Sequence, residues 1–269
     1  MLKSKPLIAL ITLFLLLLGV GIASSALGTS GSILDKEVVP GDHLTHIMHV
    51  KLDSSDQPMD IQVELLGYGQ SEDGAKRELN ASRDTSPYSA RPFLKVSPAS
   101  FHLDPGKTQD VTLEGDIPKN IGSGGRYALV KIHSGIMGKG MVGFSLAIDV
   151  PILLTVSGSE IQNKGEIENL SLEQPVLADN QTLSLLFKNT GNHHYKPKVQ
   201  AMVKNKDDSI ASNVSVTSPI SVLPTYSRLF KFDLNPKTPL KPGTYNLNAT
   251  VRADGNVIAT KEVSFEVKS

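Results

Sequence analysis

The run 144–156 limits the fold more than any other stretch of this chain. Phe144, Leu146, Ile148, Val150, Ile152, Leu154 and Val156 fill every second position, with Ser145, Asp149 and Thr155 among the residues between them. Successive side chains of a strand point to opposite faces, so the pattern describes one long, half-buried strand and not a helix. Pro151 has no N–H, which puts this strand at a sheet edge or at a bulge. Shorter runs of the same kind lie at 44–52, 61–65, 93–96, 108–113 and 127–133. Asp104-Pro105-Gly106-Lys107 reads as a turn, because proline fixes φ and glycine admits positive φ. Short strands at regular intervals between Gly/Pro turns predict a sandwich or barrel.

A polar, weakly patterned stretch at 158–168 reads as a linker, and a second strand set follows at 170–172, 182–187, 195–203, 214–217, 227–234, 244–252 and 257–267. Turns separate these at 189–192, at 206–209 and at Asp254-Gly255, where both residues tolerate positive φ. In Lys241-Pro242-Gly243-Thr244-Tyr245 the tyrosine hydroxyl is expected to bond back across a corner. The expected fold is all-β: two immunoglobulin-like β-sandwiches in tandem, at 30–157 and 169–269, behind an N-terminal signal or anchor segment at 1–26.

Lys3 and Lys5 precede a stretch without charge from Leu7 to Leu27, ending in Ser24, Ser25 and Ala26. This is the layout of a secretory signal, cleaved after Ala26. The alternative is a retained membrane anchor, since the segment barely reaches the length of about 20 residues that spans a bilayer. Either way the two lysines stay cytoplasmic and the rest is exported, to the cell surface or the extracellular space.

Composition narrows the function. Lys and Arg number 27, as do Asp and Glu, so no global field draws nucleic acid or anionic lipid. The absence of cysteine excludes a disulfide scaffold, thiol catalysis, thiolate metal sites and a lipoprotein cysteine. With no tryptophan either, the Trp-and-disulfide core of antibody domains is excluded, and the sandwiches are of a distant type.

The chemical motifs are weak. Gly138-Lys139-Gly140-Met141-Val142-Gly143 spells G-x-G-x-x-G, but a strand follows where a dinucleotide site needs a helix. The segment reads as a hairpin loop whose Ile136, Met137, Met141 and Val142 either touch a partner or continue into the core. His43, His46 and His49 resemble a metal cluster, yet on a strand His46 faces away from the other two. His193 and His194 beside a turn, with Lys196 and Lys198 after them, form a candidate basic contact patch or a solvated face. Gly143-Phe144-Ser145-Leu146-Ala147 lacks the last glycine of a nucleophile elbow. Asp53, Asp56, Asp207 and Asp208 lie in turns, where Asp satisfies local amides. No catalytic residue, metal or cofactor is expected, and the chain is not read as an enzyme. Asn80, Asn169, Asn180, Asn213 and Asn248 each begin N-x-[ST] and are candidate glycan acceptors.

A resemblance rests on specific residues. Val39-Pro40-Gly41-Asp42, Asp53 to Pro58, Val96-Ser97-Pro98, Phe101 to Lys107, Ile117-Pro118 and Gly124-Gly125-Arg126-Tyr127 follow in an order that resembles the first domain of the WxL-interacting proteins of bacterial cell surfaces. The same order is similar to the first domain of periplasmic pilus chaperones. Lys188-Asn189-Thr190-Gly191-Asn192 and the stretch 240–245 resemble the partner-binding second domain of the former family and the immunoglobulin-like modules of archaeal and bacterial surface proteins. That family carries a C-terminal membrane helix, which has no counterpart before Ser269, so anchoring is assigned to the N-terminal segment. The resemblance implies a cell-envelope binding or structural protein that acts through its sandwich surfaces on a wall polysaccharide, a glycan or a partner protein. The alternative it implies is an extracytoplasmic assembly chaperone, which needs an exposed alternating edge strand and a basic cleft between domains. A hydrolase, the third reading, needs convergent acids in a pocket. Nucleic acid is not an expected partner; a membrane is one if residues 1–26 are retained.

Overall fold

The computed structural model describes residues 27–31, 33–135, 145–173, 176 and 181–268. The N-terminal segment 1–26, Phe144, the loop residues Ile136, Met137, Met141 and Val142, and the sequon at Asn180 lie outside these. The described residues form two β-sandwiches, each with its own core. Among them, the one helical element is the single 3-10 turn Arg91–Phe93, and no helix is long and apolar enough to cross a membrane.

The first sandwich comprises β1 (Leu27–Ser30), β2 (Leu34–Val38), β3 (His43–Leu52), β4 (Met59–Gln70), β5 (Lys76–Leu79), β6 (Lys95–Ser97), β7 (Ser100–Leu103), β8 (Thr108–Asp116), β9 (Gly125–Ser134) and β10 (Ala147–Val156). One sheet has the order β1-β3-β8-β6; the other runs β2-β10-β9-β4-β5, with β7 paired to β4. The alternation read from the sequence sets which face is buried. On β3, Leu44, Met48, Val50 and Leu52 point inward; on β10, Val150, Ile152, Leu154 and Val156 do. Each such side chain, fully buried, contributes roughly 1.5–3 kcal/mol. Leu146 and Ile148 continue the same ladder but reach only the rim of the core, where they are partly buried. The Pro105 turn forms as expected, with Gly106 at φ 74° and the Lys107 N–H donating to the Asp104 carbonyl at 3.1 Å.

The N-terminal strands divide between the sheets. β1 pairs with β3, and β2 then joins the opposite sheet, running parallel to β10 from Ile152 to Val156. Gly31 makes the crossing at φ 73°, where a Cβ would crowd the Ile47 carbonyl. β10 therefore has two halves. β9 lines one side of it from Ala147 to Thr155, whereas β2 covers the other side only from Ile152 onward. Pro151 stands where that cover stops, which reconciles a proline with an otherwise internal strand.

The second sandwich comprises β11 (Gly165–Leu172), β12 (Thr182–Asn189), β13 (Lys198–Lys204), β14 (Ile210–Thr217), β15 (Ser227–Asp233), β16 (Gly243–Ala253) and β17 (Asn256–Val267), in sheets β11-β12-β15 and β14-β13-β16-β17. Leu183, Leu185 and Phe187 of one sheet and Val199, Ala201, Val203, Leu247, Ala249 and Val251 of the other fill its core. Asp254 (φ 47°) and Gly255 (φ 82°) close the β16–β17 hairpin. Tyr245 bonds back as expected, its hydroxyl donating to the Lys241 carbonyl at 2.9 Å and its ring stacking on Phe265 at 5.6 Å.

Several boundaries differ from the sequence reading: β4 and β14 begin earlier than read, 93–96 divides between the 3-10 turn and β6, β1, β2, β5 and β7 have no counterpart in it, and two further shifts have a packing cause. β11 starts at Gly165, inside the stretch read as linker, because Ile167 reaches the core between exposed Glu166 and Glu168. Glycine is required there, since a Cβ would overlap the Phe187 ring. β13 starts at Lys198 and not at 195: Tyr195 makes an isolated bridge to Val222, and Pro197 supplies no N–H for a ladder.

Candidate functional site: the domain junction and the open half of β10

Two of the motifs that carry the resemblance meet in space. Gly124-Gly125-Arg126-Tyr127 opens β9, and Asn189 to Asn192 follows β12; the two stretches form one contact between the sandwiches. The Gly125 N–H donates to the Asn192 carbonyl at 2.7 Å. The Asn192 side chain donates to Ser123 Oγ (3.1 Å) and the Glu160 carbonyl (2.8 Å), and accepts from the Gln162 N–H (2.8 Å). Gly124 has φ 87°, and a Cβ on it would overlap the Asn192 carbonyl. Asn189, fully buried, donates to the His193 and Val222 carbonyls and accepts from the Gly191 N–H. Arg126 folds back on the carbonyls of Ile121, Ser123 and Gly125, with its guanidinium 5.8 Å from the Tyr88 ring centroid. Its role is to hold the loop before β9.

A second contact comes from the tip of the β4–β5 hairpin. Gln70 donates to the Ser221 carbonyl and accepts from the Leu223 N–H, each at 2.9 Å, as a neighbouring strand would. The Leu229 N–H donates to the Glu72 carbonyl at 2.8 Å. Arg228 lies against Gly74, and its Nε and Nη1 are buried without a hydrogen-bond partner.

Beside the first contact is a cleft of about 410 Å³ lined by Asp35, Lys36, Glu37, Thr155, Ile161, His193 and His194. His194 is buried, edge-on to Tyr127, with Nδ1 3.2 Å from the phenol oxygen and Nε2 3.7 Å from Asp35. Burial, then neighbouring His193, push its pKa down to about 4 against the pull of Asp35, so it is neutral at pH 7. Burial lowers His193 as well, and its Nε2 lies 2.9 Å from Thr155 Oγ1. Lys36 is thus the full positive charge of a cleft that also holds two carboxylates.

The open half of β10 lies at the other end of the strand from Thr155, where the junction meets it. No described strand pairs with the outer side of Ala147 to Pro151. One carbonyl there, that of Asp149, takes the Lys76 ammonium at 2.8 Å, and Asp149 Oδ1 is buried without a hydrogen-bond partner.

The residues singled out from the sequence scatter. His193 and His194 belong to the junction, while Lys196 and Lys198 are exposed on the second sandwich, so the four do not form one basic patch. His43 and His49 are outward and bond to Asp116 (2.7 Å) and Asp110 (2.6 Å); His46, on the other face, reaches the Gly31 carbonyl at 2.8 Å. The Ser145 hydroxyl donates to the Ser134 carbonyl. Asp53 and Asp207 accept bonds from Ser55 and Ser209, which lower their pKa values, as turn-capping acids do. Asn80, Asn169 and Asn213 are exposed and Asn248 half-buried. Sequence reasoning missed Gln70 and Arg228, and it read Asn189 to Asn192 as a turn without the contact that this turn makes. The signal was slight: Gly74, against which Arg228 lies, stands in a stretch with no strand pattern.

No family model matches the sequence, and no curated protein does. Similar solved structures include a chaperone–tip adhesin complex of CFA/I fimbriae biogenesis (14% identity over 90% of this chain and 98% of that one, TM-score 0.42). The class 5 fimbriae chaperone CfaA is similar at 14% identity, covering 90% of this chain and 99% of its own, with a TM-score of 0.40. The E. coli chaperone DraB is similar at 13%, covering 91% and 98%, with a TM-score of 0.39. At these values the likeness is one of fold alone.

Proposed function

We propose that this chain is an extracytoplasmic assembly chaperone that lends the open half of β10 to an extended segment of a cell-envelope protein. One observation carries the reading: β10 continues past the cover of β2 with its outer backbone side unpaired by any described strand, while Leu146 and Ile148 remain partly exposed on the buried-face parity. An added strand would complete the backbone bonding on that side, and half-exposed aliphatic side chains in period two supply its selectivity. The junction suits such work, because it fixes the second sandwich beside the same strand. The cleft is mixed in charge and not basic, so the strand edge and not a field would supply the binding. The name of the activity is borrowed from the fimbrial chaperones of similar fold; the support is this chain's own edge.

A photo-crosslinking residue placed at Ala147 in the native envelope tests this, with Thr260 on β17 as the control position. The expected result is an adduct with a discrete envelope protein from position 147 alone, removed by Ile148→Asp while the melting temperature stays within a few degrees. Equal adducts from both positions, or none, would sink it. A module that binds wall polysaccharide through the second sandwich gives a different pattern: binding survives Ile148→Asp and falls when Lys196 and Lys198 are changed to Ala.

A further inference from the structure

Soluble surfaces are kept apart mainly by mixed charge, and two outward faces of this molecule follow that rule. The β1-β3-β8-β6 sheet turns Lys51, Lys95, Asp110, Glu114 and Asp116 away from its core. The β11-β12-β15 sheet turns out Glu168, Lys188 and Lys231. The outer face of the β14-β13-β16-β17 sheet is made differently. Register sets two rows across its middle: Ser215, Gln200, Thr250 and Thr260 in one, and Asn213, Met202, Asn248 and Glu262 in the next. Glu262 is the single charge in these rows; Lys198 and Arg252 stand before them and Lys204 beyond them. The middle of the face is therefore a flat field of amides and hydroxyls.

Both sequons of this sheet fall in that field. Asn213-Val214-Ser215 lies on β14 and Asn248-Ala249-Thr250 on β16. Period two puts the first and third residues of N-x-[ST] on one face of a strand, so each hydroxyl stands beside its asparagine while Val214 and Ala249 turn to the core side. Asn213 and Asn248 each stand directly opposite Met202, one on either side of it, and two strand spacings separate them by about 10 Å. Their carboxamides are held alike. Asn213 Oδ1 accepts from Gln200 Nε2 at 2.9 Å and Asn248 Oδ1 from Thr250 Oγ1 at 3.3 Å, and neither Nδ2 has a hydrogen-bond partner among the described residues. Asn213, Ser215, Asn246, Thr260 and Ser264 are exposed around them, so the half-buried Asn248 is approached over an open face.

We propose that Asn213 and Asn248 are the acceptors of a pair of N-linked glycans that cover this face. In the transfer, Nδ2 of each asparagine bonds to the anomeric carbon of a sugar. The bond from that carbon to the phosphate of a lipid-linked oligosaccharide breaks, the phosphate leaves with the electron pair, and one amide proton passes to a base of the transferring enzyme. The sugars then supply the solvation that charge supplies on the other faces. With the reading of β10 this inference shares only the need for export, because β10 lies in the other sandwich.

Peptide mapping by mass spectrometry, on the chain purified from its native envelope, reads both sites. Trypsin separates them, in peptides 207–228 and 238–252. Both peptides are expected to carry sugar mass increments. Ser215→Ala is expected to clear the first alone and Thr250→Ala the second alone, and Asn213→Gln and Asn248→Gln to do the same while keeping an amide at each position. Bare asparagine at both positions of the native chain overturns the proposal. So do increments that survive these substitutions, which place the sugar on other residues. Sugar released intact by denaturation overturns it too, since the face then binds a glycan and does not bear one.

Discussion

The two contacts between the sandwiches are built on opposite principles. Around Asn192 the polar groups are answered: its amide nitrogen, its amide oxygen and its main-chain carbonyl all bond across the junction or to the connecting segment. At the hairpin tip Gln70 does the same for two backbone groups of the second sandwich, but Arg228 beside it holds two buried nitrogens without a hydrogen bond. A satisfied network fixes one geometry, whereas buried donors left without a hydrogen bond cost stability and let a neighbouring arrangement compete. The first contact therefore acts as a hinge pin that sets the angle, and the second as a stop that the pin holds in place.

The largest test strikes the pin. Gly124→Ala is both strained at φ 87° and blocked by the Asn192 carbonyl, so about 3 kcal/mol should be lost. Chemical denaturation is expected to show the two sandwiches unfolding in separate transitions where the wild type shows one; an unchanged single transition would mean that this contact does not couple them. Acid probes the same contact more gently. His194 has its pKa pushed down to about 4 in the folded chain, whereas an unfolded histidine titrates near 6.5. The unfolded state thus takes up its proton first, so the contribution is complete above pH 6.5 and is lost as pH falls toward 4. Its size is on the order of 3 kcal/mol. The fall should be smaller in a His194→Gln variant, measured by thermal melts from pH 7.5 to 4.5. The smallest effect belongs to the stop. Arg228→Leu removes the two unbonded nitrogens and keeps the bulk, so stability should change by less than about 1 kcal/mol and in the favourable direction. A loss of 3 kcal/mol would reveal that Arg228 holds the contact after all.

Most of the sandwich layout could be read beforehand, because period-two burial leaves a direct trace: β10, the Asp254-Gly255 hairpin and the Tyr245 corner all stand where the pattern put them. The first half of β11 escaped because Gly165 serves Phe187 and not a turn, and because two glutamates hide Ile167. The junction escaped for a different reason. Its bonds run between main-chain groups and amides far apart in sequence, and a residue such as Asn192 looks the same whether it closes a turn or joins two domains. The histidine pair shows the same limit. Beside lysines in sequence, His194 reads as solvated, and only the arrival of Tyr127 from the other sandwich buries it.

The parallel pairing of β2 with β10 has a consequence for how such a chain matures. The strand made early must wait for one made more than a hundred residues later, so a chain threaded N-terminus first leaves Leu34 to Val38 without a neighbour until Val156 has emerged. Closing so long a loop is slow. During that interval β2 is a bare strand, and once β10 has emerged its whole outer margin stays open until β2 closes on it, so the nascent molecule offers more unpaired ribbon to its surroundings than the finished one does.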